Sequence, residues 1–312
     1  MKPTVAQIRA VANPILSNML ISYMNNSSDF VATAAAPTVS VNEESGTYFI
    51  LDATYFFATQ LERRAYGDTF AQGGYALTTD TYKTLQWGLE HPIPVEHEAT
   101  SQVPMSLQSL ATEWLATQSL IRKETSFAAD FMIGSAWSTE NSSATDWDST
   151  GTPVADIALA RRTVRQAVGV GANAAVMGEI VWDALQTNAQ ITGLVAYTNS
   201  LTQTTRDSLI ASTLGLDYLF VSRAVRNTAN LNAADSISPI IDDDCLVCIV
   251  KPGADMMTIS SLKTFVWNPG GGQGSVKSYF SNERNSTILQ HQEQWDQKLI
   301  GAGTGYIFTD IV

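Results

Sequence analysis

The chain has 312 residues, room for one large domain or two ordinary ones. Apolar residues make up 45% and charged residues 15%, against about 25% charged in an ordinary globular domain, so 33 Thr and 28 Ser carry much of the polar surface. Thirty acidic against 18 basic residues give a net charge of -12, which repels phosphate backbones and argues against electrostatic nucleic-acid binding. Two Cys are too few to staple a secreted mini-domain, and no stretch approaches the ~18 apolar residues of a membrane span. Asn13, Pro14, Ser17 and Asn18 interrupt what would have to be a signal-peptide core, so the expected compartment is the cytosol where the chain is made.

Residues 1–45 read as an arm with little core of its own. A short apolar-periodic piece (Val5, Ile8, Val11, Ile15) runs into Asn25-Asn26-Ser27-Ser28 and then Ala34-Ala35-Ala36-Pro37. From residue 47 to 99 the pattern turns extended, with Tyr48, Phe49, Ile50, Tyr55, Phe56 and Phe57 on the way out. Gly67, Gly73 and Gly74 mark the turn region, and Leu85, Trp87 and Leu89 alternate with Gln86, Gly88 and Glu90 on the way back. Such a hairpin-like excursion is marginal in water if nothing covers it. Residues 106–133 contain no Gly or Pro and place Leu107, Leu110, Trp114, Ile121, Ala128 and Phe131 at helical spacing, which predicts a spine-like helix about 40 Å long. Gly134 and the Ser/Thr/Asp-rich run of residues 138–151 form a polar connector.

A compact α/β segment follows. Thr152 is the expected cap of a helix with Pro153 at its first position and Asp156 in its first turns. Val154, Ile157, Val164 and Val168 make its apolar face, Arg161, Arg162 and Arg165 sit toward its negative end, and Gly169 stops it. Residues 174–177 read as a short buried strand, 179–187 and 205–214 as helices, and 216–222, 245–250 and 263–267 as strands around one sheet. After Pro269-Gly270-Gly271-Gly272, residues 276–280, 287–300 and 306–312 are extended. The middle one is polar on both faces (Gln290, His291, Gln292, Glu293, Gln294), which predicts a ribbon exposed to solvent or to a neighbour. There is no internal repeat.

Candidate chemistry is sparse. Cys245-Leu-Val-Cys248 has redox or half-zinc spacing, but it lies in an apolar strand run where residues three apart point to opposite faces, and no second Cys pair exists, so the two read as buried small hydrophobes. Gly169-Val-Gly171-Ala-Asn-Ala174 matches a loose dinucleotide fingerprint, yet it follows a helix and opens a strand, the reverse of what that site needs, and reads as a plain turn. Pro269-Gly270-Gly271-Gly272-Gln273-Gly274 has no helix N-terminus or Lys-Ser/Thr pair after it and reads as a loop between strands. Glu90-His91 and Glu96-His97-Glu98 sit on the extended excursion rather than in a cleft, and His291 is far off; a metal there would need a converging third ligand. Asp242-Asp243-Asp244 reads as a solvated acidic turn at the start of a strand. No Ser elbow, Cys-His arrangement or paired carboxylates stand out, so no catalytic, cofactor-binding or metal residue is expected.

In order and spacing the elements resemble the major capsid proteins of tailed bacteriophages, the Hong Kong ninety-seven phage fold, from about Phe30 to Val312. The resemblance rests on residues 39–48 (VSVNEESGTY), on 107–129 with Glu124 near the end, on 152–156 followed by Val168-Gly169, and on 173–190 (NAAVMGEIVWDALQTNAQ). Residues 214–229 (LGLDYLFVSRAVRNTA), 264–267 (TFVW) and 294–298 (QWDQK) continue it. The family often has Pro before the Asn of one turn, where this chain has Ala172-Asn173.

The resemblance implies an α+β fold: a phage major capsid fold with N-terminal arm (1–46), extended β-hairpin loop (47–99), a peripheral domain (100–151 and 268–312) with the spine helix (106–133) and C-terminal strands, and a central mixed α/β axial domain (152–267). It implies a structural protein that assembles into hexamers and pentamers of an icosahedral shell enclosing double-stranded DNA, in the virion capsid, after assembly in the host cytoplasm. The partners implied are other copies of the chain, with portal, scaffold or decoration proteins as further candidates; no cofactor, no membrane and no sequence-specific DNA binding are implied. Family members can begin with a scaffolding segment of about a hundred residues; the arm here starts almost at once, so any scaffold is expected to be a separate protein or absent. An encapsulin-like nanocompartment shell shares the fold and stays open as an alternative, with a soluble metal-dependent α/β enzyme using the Glu90-His91 and Glu96-His97 cluster as a remote one. The excursion is expected to lie across an adjacent subunit, burying Trp87 or its aromatic neighbours, with Arg63 and Arg64 near the tip meeting the neighbour's carboxylates.

Overall fold

The computed structural model describes residues 16, 20, 28–51, 58–100, 106–142, 146–148, 151–195, 203–230, 233–253, 255–270 and 274–312. The readings made for residues 5–15, for the Asn-Asn-Ser run at 25–27 and for Tyr55, Phe56 and Phe57 lie outside the described residues. The arm enters as a short helix, α1 (Ala32–Ala35), and a strand, β1 (Thr38–Val41). β2 (Ser45–Leu51) and β3 (Leu77–Lys83) pair antiparallel as a separate two-stranded ribbon. After Thr84, β4 (Leu85–Pro94) leaves this ribbon and pairs along its length with a long C-terminal strand, Ser286–Leu299. The return strand is therefore β3, and Leu85, Trp87 and Leu89 belong to a different sheet. A period-two alternation says nothing of which strand lies beside it, and of the three only Trp87 is half-buried while Leu85 and Leu89 are exposed.

A six-residue helix, α2 (Val95–Thr100), leads to α3 (Leu107–Phe131), the expected spine. Ser106 caps it, its hydroxyl accepting from the Ser109 N–H at 3.1 Å, which satisfies one of the orphan donors of the first turn. Two adjacent rows at i, i+4 spacing are buried: Ala111, Leu115, Ser119, Lys123, Phe127 and Phe131, and beside them Thr112, Ala116, Leu120 and Glu124. Apolar side chains fill both ends of this face and polar ones its middle.

The first sheet lies under that face. Its central strand is Ser286–Leu299, with β4 on one edge and, on the other, Leu262–Trp267 and Ser275–Ser281; β1 pairs parallel with Leu262–Trp267. The expectation of an exposed ribbon at 287–300 is overturned: His291, Glu293, Gln294 and Gln297 are all buried. Two of them, Gln294 and Glu293, meet polar partners, while the His291 ring nitrogens and Gln297 Oε1 have no hydrogen-bond partner among the described residues. Gln294 Nε2 donates to the carbonyl and hydroxyl of Thr84, and Glu293 is paired with the polar middle of α3.

In the second sheet β5 (Glu140–Asn141) pairs parallel with the last strand, Gly305–Phe308, and beyond that strand lie, in order, Cys245–Cys248, Ala174–Gly178 and Tyr218–Ser222. In chain order after β5 come α4 (Pro153–Val168), β6 (Ala174–Gly178), α5 (Glu179–Thr187), α6 (Ala189–Val195), α7 (Gln203–Leu214), β7 (Tyr218–Ser222), the β8–β9 hairpin (Val225–Asn227, Ile237–Pro239), β10 (Cys245–Cys248), β11 (Leu262–Trp267), β12 (Ser275–Ser281), β13 (Ser286–Leu299) and β14 (Gly305–Phe308). Two strands sit elsewhere than expected. β11, placed with the axial strands by chain order, lies in the first sheet, and β14, placed at the periphery, lies in the second. The chain crosses between sheets after β10 and again after β13, and long-range pairing leaves no local signature.

α4 starts and stops where its residues predict. Pro153 is its first residue, and Gly169 closes it at φ 76°, its N–H donating to Arg165 O at 2.8 Å. Thr152 caps differently from the expectation: its side chain makes no capping hydrogen bond, while its carbonyl accepts from the N–H groups of Ala155 and Asp156. Gly169 to Gly171 is the turn from α4 into β6, as read.

Cys245 and Cys248 are fully buried, on opposite faces of the sheet. Cys245 packs with Ile157, Val164, Met177 and Phe308 under α4 and α5. Cys248 packs with Val31, Ala32, Phe127 and Val176, where α1 and the end of α3 cover the other face. Burial pushes the Cys248 thiol up to about 12 and that of Cys245 further still, so neither forms an accessible thiolate. A Cys245→Ala, Cys248→Ala double variant should lose roughly 1 kcal/mol per site in a denaturant melt and assemble as the parent does. Stoichiometric zinc in the purified parent would contradict this reading.

Candidate assembly surface

Beyond the β2–β3 ribbon, residues 58–76 form the tip of the excursion, with no regular structure and every residue from 61 to 75 exposed. Leu61, Tyr66, Phe70 and Tyr75 are 70% exposed or more, so four large apolar side chains stand in water on one loop. The tip holds its shape through its own contacts. Gln60 and Gly74 exchange two hydrogen bonds at 2.8 Å, Gly67 turns the chain at φ 87°, Arg64 donates to Asp68 O at 2.9 Å, and the Arg64 guanidinium lies 4.1 Å over the Phe70 ring.

The structure brings Arg63 and Arg64 together at the tip, Arg63 exposed beside the engaged Arg64. Trp87 lies elsewhere. It is half-buried on β4, stacked on Trp295 of β13 at 5.6 Å and capped by the Arg122 guanidinium at 4.1 Å. Much of its surface is thus covered within its own chain.

Two carboxylates fasten α3 to the rest of the molecule. Glu293 Oε2 lies 2.7 Å from Lys123 Nζ, and Glu293 Oε1 accepts from the Ser119 hydroxyl at 2.8 Å, both contacts buried. The His291 imidazole is 3.9 Å from the same carboxylate, and neither ring nitrogen has a hydrogen-bond partner among the described residues. Burial lowers its pKa, the Glu293 charge opposes that and the Lys123 charge adds to it, which favours the neutral ring. Glu124, fully buried, accepts from the N–H groups of Val31 (3.0 Å) and Ala32 (2.8 Å) and from the Ser222 hydroxyl (2.7 Å). One side chain thereby ties the arm, α3 and β7 together. Burial raises its pKa, and these three donors offset only part of the rise. Sequence reasoning missed the Lys123–Glu293 pair; the signal available was a run of polar residues on an otherwise apolar i, i+4 row of a long helix.

His91 and His97 lie in a cleft, contrary to the expectation for the Glu-His cluster. They line a groove of about 650 Å3 between β4, α2 and the first half of α3, with the His91 ring 5.4 Å from that of Trp114. Among the described residues no group of three or more His, Cys, Asp or Glu is placed to hold a metal ion. At the acidic turn, Asp244 is pushed up to about 6, first by burial and then by the charges of Asp243, Asp242 and Asp310, against an N–H from Asp310. A raised carboxyl stabilises the fold below the unfolded value of 3.8 and loses that stabilisation as pH rises through about 6. Asp244→Asn should therefore melt above the parent at pH 7.5, with the difference fading by pH 4. A difference that persists at pH 4 would assign it to something other than this charge.

No family model and no curated protein matches the sequence. Solved structures do match. The asymmetric unit of the bacteriophage PhiM1 mature capsid superposes with a TM-score of 0.56 at 12% identity, over 90% of this chain and 87% of that one. The fold is that of phage major capsid proteins. A phage-related protein from Bordetella bronchiseptica RB50 superposes at a TM-score of 0.75 and 18% identity, over 96% of this chain and 98% of that one. A virus-like particle from Pyrococcus furiosus gives 0.55 at 11%, over 94% and 97%. The α+β capsid fold expected from the order of elements is the fold observed. In its terms α3 is the spine helix and the β2–β3 ribbon with its tip is the extended loop.

Proposed function

We propose that this chain is a structural subunit that assembles into hexamers and pentamers of an icosahedral shell enclosing phage double-stranded DNA, in the virion, after assembly in the host cytoplasm. The observation that carries the reading is the tip at residues 58–76 on a capsid fold: four large apolar side chains, each 70% exposed or more, on one loop. A solvated loop gains nothing from them, and a neighbouring copy does. The net charge of -12 suits a container, because a wall that gripped DNA would hinder filling and emptying. In this reading the chain does no chemistry, and Arg63 and Arg64 meet a neighbour's carboxylates, with Trp87 adding what apolar surface it leaves open. The arm, loop, peripheral and axial divisions of the capsid fold are proposed for this chain as well, with β11 counted in the peripheral sheet and β14 in the axial one.

The likeness to the Pyrococcus virus-like particle favours a second reading, a nanocompartment shell around a protein cargo. Electron microscopy of the expressed protein, followed by nuclease digestion of its particles, separates the two. Round shells that protect DNA in the native source support the first, shells around a defined protein cargo support the second, and no shells would contradict both.

A further inference from the structure

The groove between β4, α2 and the first half of α3 is walled by His91, Ile93, His97, Leu110, Ala111 and Trp114. Leu110 and Trp114 stand 46% and 43% exposed, an apolar concavity open to water. Beside it lies the hydrophobic cluster that buries Leu16 and Leu20, and groove and cluster share Ile93, Ala111 and Leu107. Leu16 and Leu20 are both helical and four residues apart, so they turn one face to that cluster. Leu16 thus belongs to the cluster that adjoins the groove, and fifteen residues of the sequence precede it.

The chemistry of that preceding segment matches the groove. Val5, Ile8 and Val11 recur every third residue, the spacing of one helical face, and Lys2 and Arg9 are its charges, with no acidic residue before Asp29. In a chain of net charge -12 this is a locally basic, apolar-striped stretch. The two helices flanking the groove carry Glu96, Glu98 and Glu113. Five residues of extended chain reach about 17 Å, so Val11 comes within range of the groove from Leu16.

We propose that the groove is the docking site of the chain's own N-terminal segment, with Val5, Ile8 and Val11 seated against Leu110 and Trp114 and with Lys2 and Arg9 facing the flanking glutamates. Tethering supplies an effective concentration in the millimolar range, so a modest apolar contact suffices in cis where a free peptide would need far more. The docked segment braces the C-terminal end of β4 against the first half of α3, at the end of β4 away from the extended loop.

Two cysteine pairs test this in the full chain, Ile8→Cys with Leu110→Cys and Val11→Cys with Trp114→Cys. The native Cys245 and Cys248 are fully buried and take no part in the exchange. On mild oxidation the expected product is a disulfide within one chain, seen as a mobility shift of the monomer band on a non-reducing gel. Its yield should fall several-fold when Lys2→Glu and Arg9→Glu are added. Disulfides only between chains, preferential cross-linking of a Leu61→Cys, Trp114→Cys pair between copies, or no disulfide from either pair would overturn the proposal. Hydrogen exchange gives a reading free of groove substitutions. In a chain lacking residues 1–13, amides of β4 and of residues 107–116 should exchange about 10-fold faster while those of α4 keep their rates. Unchanged rates on β4 would overturn the proposal. Each result is read within a single chain, so failure here leaves the shell reading standing, and failure of the shell reading leaves this one.

Discussion

Replacing Lys123 with Met should destabilise the chain by about 3–5 kcal/mol, because Glu293 would be left buried without its counter-charge. Met keeps most of the length and volume of the lysine stem, so the loss isolates the charge rather than a cavity. Glu293 would keep the Ser119 hydroxyl at 2.8 Å; His291, 3.9 Å away, loses the Lys123 charge that helps hold it neutral, but burial, the largest cause, still disfavours its charge. A double variant, Lys123→Met with Glu293→Leu, should recover most of the loss, as buried pairs replaced by apolar side chains usually do. Denaturant melts of dissociated chains, followed by tryptophan fluorescence, measure this directly. A loss under about 1 kcal/mol, the level of an exposed pair, would show that the pair does not hold α3 to β13.

The second large effect is on assembly and leaves stability nearly untouched. In an Arg63→Glu, Arg64→Glu double variant, shells should fail to form while circular dichroism and melting stay close to the parent. Both residues lie on a tip that contributes nothing to the buried clusters of either sheet. Within the chain the variant gives up one hydrogen bond to Asp68 O and one exposed contact with Phe70, the latter worth about 0.5–1 kcal/mol. Across a subunit contact, turning two cations into two anions against a neighbour's carboxylates costs on the order of several kcal/mol, and every copy in a shell repeats it. Conservative replacement of both by Lys should preserve assembly in part, because charge remains and the planar fork is lost. Intact shells from the Glu variant would show that these residues do not hold subunits together.

The parts of this fold legible in the sequence are those set by near neighbours in the chain. Ser106 followed by a Gly- and Pro-free run marks α3, Pro153 and Gly169 bracket α4, and a three-residue spacing in a strand places Cys245 and Cys248 on opposite faces. What could not be read is set by partners far away. β1 pairs with β11 across more than two hundred residues, and nothing in Thr38–Val41 names that partner. The same holds for β13, whose polar residues look solvated until Lys123, Ser119 and Thr84 are brought beside them. Of the candidate surface, the exposed tip with its arginine pair was legible from turn residues and charge. Trp87 was read onto the wrong strand because its alternation fits any half-buried neighbour, and the groove at His91 was hidden because α2 folds back to close it.

If this chain exists to contact copies of itself, sedimentation velocity of the purified protein over a range of salt and pH will show it. Capsomers or megadalton shells are the predicted species, with a buried area per chain well above the ~1,600 Å2 of a standard interface. A stable 33.7 kDa monomer at high concentration under all those conditions would contradict it.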